Sequence, residues 1–411
     1  MNKLLIIIAF VFSIVTSSEA CTIAVISGKY TKDGRPLLWK NRDTWAINNR
    51  IMYFNDAKYV YMGLVNSQDS LGKSLWIGMN EKGFSIMNSN SYNLNIGDTA
   101  EHSGLEGRLI KHALATCATV EDFQKYLDGL EKPTGFEGNF GVIDGQGGAA
   151  LFELGFRDYE KFDANDPTIA PYGYILRTNY SFTGSFGEES SGYIRQNTVD
   201  ELFYNALSSN TLDAQFIMQD VTRTLKHSLL KTDLYMQYGT IPENNPTYTF
   251  FHDFIPRISS ASACVVQGVK KDENPKYSTL WSAVGFPLTS IAIPTWLITE
   301  NNFPTVLQLN KELNDSPICN AALTLKKEAF PIRWGKFASK FYININSLVN
   351  ADKTGIRQKI QIDEDVIFSE TYKKLEKWRS NGMKKDDVLK FNSWLDSFVI
   401  ESYQTNFDIH L

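Results

Sequence analysis

The chain opens with a nearly unbroken apolar run, "LLIIIAFVFSIV" at 4 to 15, and then changes period. From residue 21, "CTIAVISG" alternates apolar and small side chains, as a half-buried strand does. An Asp-Gly turn signal in "KYTKDGRP" separates it from "LLWKNRDT", a second strand. Strand patterns continue in "MYFNDAKYVYMGLV" and in "SLWIGMNEKGFSIMNSNS", which folds back at Asn-Glu-Lys-Gly. Residues 105 to 130 switch to helical period, with Thr119 placed to cap a second helix whose first turn carries Glu121 and Asp122. Strands return in "GNFGVIDGQGGAALFELG" and "YGYILRTNYS", followed by predicted helices at about 193 to 207 and 211 to 230. A third strand group, "SASACVVQGV", "YSTLWSAVGF" and "TSIAIPTWLI", precedes a mostly helical region at 301 to 411. There Val388, Phe391, Leu395, Phe398 and Val399 form one apolar stripe, read as packing against the main body. Segregated strand and helix blocks predict an α+β fold rather than βαβ alternation.

The first apolar run changes the picture when read with its flanks. Lys3 precedes it, and small residues Ser18 and Ala20 follow, the anatomy of a secretory signal peptide over 1 to 20. Cleavage after Ala20 makes Cys21 the mature N-terminus and sends the chain to the periplasm or outside the cell. The run is too short to span a bilayer comfortably, and no later segment approaches that length without charges. No stable membrane insertion is expected once the leader is gone. The alternative is a non-catalytic surface lipoprotein lipidated on Cys21. Lipoprotein processing favours a large aliphatic and then a small residue where this chain has Ser18 and Glu19. Lipidation would occupy both sulfur and amine, so the two readings exclude each other.

The net charge of −5 and the 43% apolar and 13% aromatic shares suit a soluble globule of one large or two ordinary domains. No Lys/Arg-rich run suggests nucleic acid. Besides Cys21 the cysteines are Cys117, Cys264 and Cys319, too sparse for a disulfide scaffold and at no zinc spacing. With Cys21 free, at most one bridge forms among those three. Histidines stand only at 102, 112, 227, 252 and 410, none in a metal-ligand pattern. No metal and no cofactor is expected, and a homo-oligomer is compatible with the sequence.

A terminal cysteine carries its own base. A free thiol has a pKa of about 8.5 and an α-amine one of about 8, so the sulfur can pass its proton to its own nitrogen. Peptide-bonded Cys21 lacks that base, which makes the leader a safety catch. Asp43, closing the second strand a short hairpin away, is placed to hold the ammonium and orient the thiol. Asn90 and Asn179, each just after a strand, are neutral donors suited to a tetrahedral oxyanion. A Cys/His peptidase built on Cys117 or Cys264 lacks the glutamine-rich cysteine elbow and downstream His-Asn pair it would need.

Taken together, "CTIAVISG", "KNRD" at 40 to 43, "GMNEKGFSIMNSN" at 78 to 90, "GNFGVID" at 138 to 144 and "RTNY" at 177 to 180 carry a resemblance. "SSGYIR" at 190 to 195 and "LWSAVGFP" at 280 to 287 add to it. In order and spacing they resemble the cysteine N-terminal nucleophile hydrolases, the superfamily of choloylglycine (bile salt) hydrolases, penicillin V acylases and isopenicillin N acyltransferase-like proteins. The resemblance spans about 21 to 300 and implies a four-layer αββα sandwich. It implies that Cys21 is nucleophile and, through its amine, base. By the same likeness Asp43 positions it, Asn90 and Asn179 line the oxyanion site, and Arg195 steadies the network. The substrate would be a small linear amide cleaved through a thioester, with water or another amine accepting the acyl group. Lys40 stands where the bile salt and penicillin enzymes carry an arginine, three residues before the aspartate. It is the expected substrate-binding residue, with the charge kept and the bidentate fork lost.

Overall fold

The computed structural model describes residues 20–185, 187, 191–332 and 334–411. The leader thus lies outside the described residues except for Ala20, and Ser190 of the "SSGYIR" motif does too.

Two antiparallel sheets form the centre. The six-stranded sheet runs in the order Tyr174–Arg177, Cys21–Ile26, Leu37–Asp43, Ser260–Gln267, Thr279–Val284 and Ile293–Thr295. The seven-stranded sheet keeps chain order, from Asn49–Phe54 through Tyr61–Asn66, Ile77–Asn80, Ser85–Ser89, Gly138–Ile143 and Ala149–Leu154 to Tyr159–Asp163. Every residue of Cys21–Ile26 and Leu37–Asp43 is buried, which requires cover on both faces of that sheet. One cover is the other sheet. A Cβ added to Gly141 would come within 2.5 Å of Met87 Cε and 2.7 Å of Val25 Cγ2, so glycine there lets the sheets close on each other.

Helices form the outer layers. Glu106–Thr116 and Val120–Asp128 lay Ile110, Leu114 and Phe123 over Phe84, Phe140 and Phe152 of the seven-stranded sheet. Beyond the six-stranded sheet, Trp39 meets Phe203 of the helix Tyr193–Ser208, with ring centroids 6.3 Å apart. Trp281 stacks at 4.0 Å on Phe368 of the helix Ile356–Asn381. The architecture is the α+β, four-layer αββα sandwich that the motifs imply.

Several local expectations are met. Thr119 caps its helix by accepting from Asp122 N–H at 3.1 Å, and the Asp122 carboxylate reaches back to Ala118 N–H at 2.9 Å. Aspartate at that position bonds one residue further out than the glutamate of a full capping box would. Val388, Phe391, Leu395 and Val399 of the helix Lys385–Phe407 are buried, and Phe398 packs against the same core.

Two expectations need correction. The helix predicted at 211 to 230 is only a short turn at Ala214–Phe216 running into a wider coil at Ile217–Val221. Thr222 N–H closes the last wide turn on Ile217 O at 2.8 Å, and the chain then turns into the strand Lys226–His227. The strand Tyr159–Asp163 was not anticipated. It is a sheet edge with no fully buried position, so it carries no apolar alternation. All four cysteines are free.

Candidate active site

The site is assembled at one end of the first strand. Cys21 pairs with Arg42 across the ladder, and strand alternation turns Cys21, Ile23 and Val25 toward the other sheet with Arg42, Lys40 and Leu38 beside them. On the other flank Ile23 pairs with Arg177, so Asn179 lies just past the strand end near Cys21. Cys21 is 6% exposed.

Asn179 and Arg195 grip this end from two sides. Cys21 N–H donates to Asn179 Oδ1 at 3.0 Å, across 158 residues of chain. Arg195 Nη2 donates to the same oxygen at 2.9 Å, while its Nη1 donates to Cys21 O at 2.7 Å and Thr22 Oγ1 at 2.8 Å. Two converging donors establish which side-chain atom of Asn179 is the oxygen. Asn179 Nδ2 donates to the backbone O of Asn90 at 3.0 Å. Asn179 therefore orients the Cys21 nitrogen and braces the Asn90 loop. The Asn90 side chain makes no hydrogen bond to a described residue. Arg195 is fully buried; desolvation first, and then Arg257, draws it down to about 9, still a cation at neutral pH.

Asp43 stands one step beyond the Cys21–Arg42 pair, on the opposite sheet face with Asn41 and Thr22. Its hydrogen bonds go to Arg257, Ser260 and Asn41 rather than to Cys21. Arg257 Nε and Nη2 lie 2.8 and 2.7 Å from Asp43 Oδ2, and Asn41 Nδ2 donates to Oδ1 at 3.2 Å. Lys326, from the helix Pro317–Ala329, donates to the backbone O of Ile258 at 2.6 Å and Ser260 at 3.3 Å. Burial pushes its ammonium down to about 8, with the charge of Asp43 opposing the shift. The aspartate is thus set among Arg195, Arg257 and Lys326, the last contributed by the C-terminal region.

Lys40 is buried and bridges the two sheets, donating to Asn88 O and, at 2.8 Å, to Asn88 Oδ1. It flanks Ile23 rather than Cys21. The position facing Cys21 belongs to Arg42, which donates to Asn49 Oδ1 at 2.7 Å and lies 4.3 Å over the Trp76 ring. Sequence reading missed Arg42, Arg257, Ser260 and Lys326. Arg42 was discoverable from its place between Lys40 and Asp43 on a strand whose end lies opposite Cys21. Arg257 follows an Ile-Pro pair in a loop, and Lys326 reads as a solvated helix face, so neither carried a signal. Among the described residues no group of three His, Cys, Asp or Glu is placed to hold a metal.

No protein-family model matches the chain, and no curated protein matches it. Solved structures do. A mutant of conjugated bile acid hydrolase from Clostridium perfringens is similar with a TM-score of 0.40 and 12% identity, over 67% of this chain and 92% of that one. An N-acylethanolamine-hydrolyzing acid amidase ortholog from Caenorhabditis elegans is similar with a TM-score of 0.40 and 13% identity, over 60% and 92%. Penicillin V acylase from Agrobacterium tumefaciens is similar with a TM-score of 0.34 and 13% identity, over 67% and 86%.

Proposed function

We propose that the chain is an exported amidohydrolase or acyltransferase that cleaves linear, non-peptide C–N amide bonds through a thioester on Cys21, uncovered when the leader is removed after Ala20. The observation that carries this reading is the hydrogen bond from Cys21 N to Asn179 Oδ1, itself held by Arg195. An α-amine at the same atom can keep that bond and still present a lone pair to its own sulfur.

In the proposed reaction the thiol proton passes to the α-amine as sulfur bonds to the amide carbon, and the carbonyl electron pair moves onto oxygen. Asn90, with neighbouring backbone amides, stabilises that oxyanion. Collapse restores the carbonyl and breaks the C–N bond, and the departing amine takes the proton from the ammonium. Water, or an amine acceptor, then attacks the thioester, gives a proton to the α-amine, and releases the thiolate, which recovers it. Asp43 acts on the nitrogen side as a positioning residue. Asp43→Asn is expected to lower kcat by about 10- to 100-fold with little change in KM. If KM alone moves, Asp43 belongs to substrate binding instead.

The deciding experiment adds one untrimmable glycine before Cys21. Thiol, Asp43, Asn90 and Asn179 all remain, and a terminus tolerates one residue. The neighbouring nitrogen becomes an amide without basicity. General-base help contributes on the order of 10²- to 10⁴-fold, so activity should fall at least about a hundredfold. Intact mass after incubation with N-acyl amino acids, bile conjugates and β-lactams reports both the terminus and any trapped acyl group. Full activity from a verified extended chain removes the mechanism, and a diacylglyceryl adduct on the exported protein establishes the lipoprotein reading.

A further inference from the structure

A polar cavity lies away from Cys21, outside the six-stranded sheet. It has a volume of about 440 Å³ and is walled by the helix Tyr193–Ser208, the segment 216 to 235 and the first turn of the helix Ile356–Asn381. None of Cys21, Asp43, Asn90, Asn179 or Arg195 lines it. Its charges are of both signs. Asp220 and Asp233 are the carboxylates, and Arg357 and Lys226 the cations.

Two of these face the cavity without a close contact. Neither the Asp220 carboxylate nor the Arg357 guanidinium makes a hydrogen bond or ion pair within 4.0 Å to a described side chain or backbone group. Arg357 instead rests 5.3 Å from the centroid of the Tyr235 ring. Asp233 is differently placed, since its carboxylate accepts from Tyr235 N–H at 3.0 Å and caps the helix Leu234–Tyr238. Asp220 is exposed and Arg357 half-buried; desolvation raises the Asp220 carboxyl and lowers Arg357, and each feels the other's opposite charge across the cavity. Phe216 adds an apolar wall to the same space. A carboxylate and a guanidinium held apart in one cavity suit a ligand that carries the opposite charges on one short frame. Arginine's planar fork matches a carboxylate, while a carboxylate takes an ammonium.

We propose that this cavity is a binding site for a small zwitterion of the free amino acid class, its carboxylate on Arg357 and its ammonium on Asp220. The site is independent of the chemistry at Cys21, and its test does not use turnover.

The test is calorimetric titration of the full chain with glycine, β-alanine and γ-aminobutyrate, which step the charge separation, and with acetate and methylammonium as single-charge controls. At least one zwitterion should bind with a dissociation constant below about 1 mM, at least about tenfold tighter than either control. Arg357→Met and Asp220→Asn should each weaken that ligand by about 10- to 100-fold, the loss of one charge-assisted contact. Circular dichroism melts of both variants confirm that each still folds. Binding of no zwitterion by the wild-type chain overturns the proposal outright. So does binding that survives unchanged in both variants, or that the single-charge controls match.

Discussion

Cys21→Ser is expected to lose at least about a thousandfold in kcat while the protein still folds. Serine is nearly the size of cysteine, and Cys21 sits at a strand end, so packing changes little. A hydroxyl is far less acidic than a thiol, so in a site built for sulfur an α-amine with a pKa of about 8 activates it only poorly. The other three cysteines offer no substitute. Burial pushes Cys117 up to about 11 and Cys264 up to about 12, and Cys319 is raised well above its ordinary value by the same cause. Thiols of that kind are inert near neutral pH. The measurement is turnover of whichever amide acylates the wild-type enzyme, with the melting temperature of both proteins alongside. A folded Cys21→Ser variant retaining about a tenth of the activity would place the nucleophile elsewhere.

The second large effect concerns stability. Glu364, on the helix Ile356–Asn381, faces Arg223 in a buried fork, with Nη1 to Oε2 at 2.5 Å and the second bond from Nη2 to Oε1. The side chains are 2% and 0% exposed, so this pair is shielded from screening by water. Arg223 also donates to the backbone O of Pro287 at 2.7 Å and Ser290 at 2.8 Å, and Glu364 accepts Ala292 N–H. The cluster therefore ties the C-terminal region to the loop between the last two strands of the six-stranded sheet. Glu364→Ala leaves a buried guanidinium without its anion and is expected to cost about 3 to 5 kcal/mol of folding free energy. Urea unfolding measures it. The double variant Arg223→Met/Glu364→Leu should recover most of the loss, because two apolar groups need no mutual compensation. A loss below about 1 kcal/mol for Glu364→Ala would mean that water or another cation relieves the site.

What the chain declares locally is considerable. The alternation in "CTIAVISG" and "LLWKNRDT" places the strands Cys21–Ile26 and Leu37–Asp43, and the turn signal between them makes them neighbours. Thr119 and Asp122 mark a helix start, and the stripe from Val388 to Val399 marks a buried face. In each case the residues that decide the element lie within a turn or two of one another, so their pattern is visible in order along the chain. Those signals give the α+β class, and the resemblance carried by the motif order implies the four layers and the grouping of Cys21, Asn179 and Arg195.

Only the tertiary structure decides who holds whom. The bond from Cys21 to Asn179 spans 158 residues, that from Arg257 to Asp43 spans 214, and the Arg223–Glu364 fork spans 141. Such pairings depend on strand register and on how two sheets and two helix layers stack, and no periodicity records them. Register also separates Asp43 from the thiol by one sheet face and gives Arg42, not Lys40, the place opposite Cys21. A one-residue difference along a strand exchanges the two faces, so spacing in sequence names the candidates and the pleat assigns their sides. The helix expected at 211 to 230 also gives way to tertiary placement: its chain turns into the strand Lys226–His227, which pairs with Thr232–Asp233.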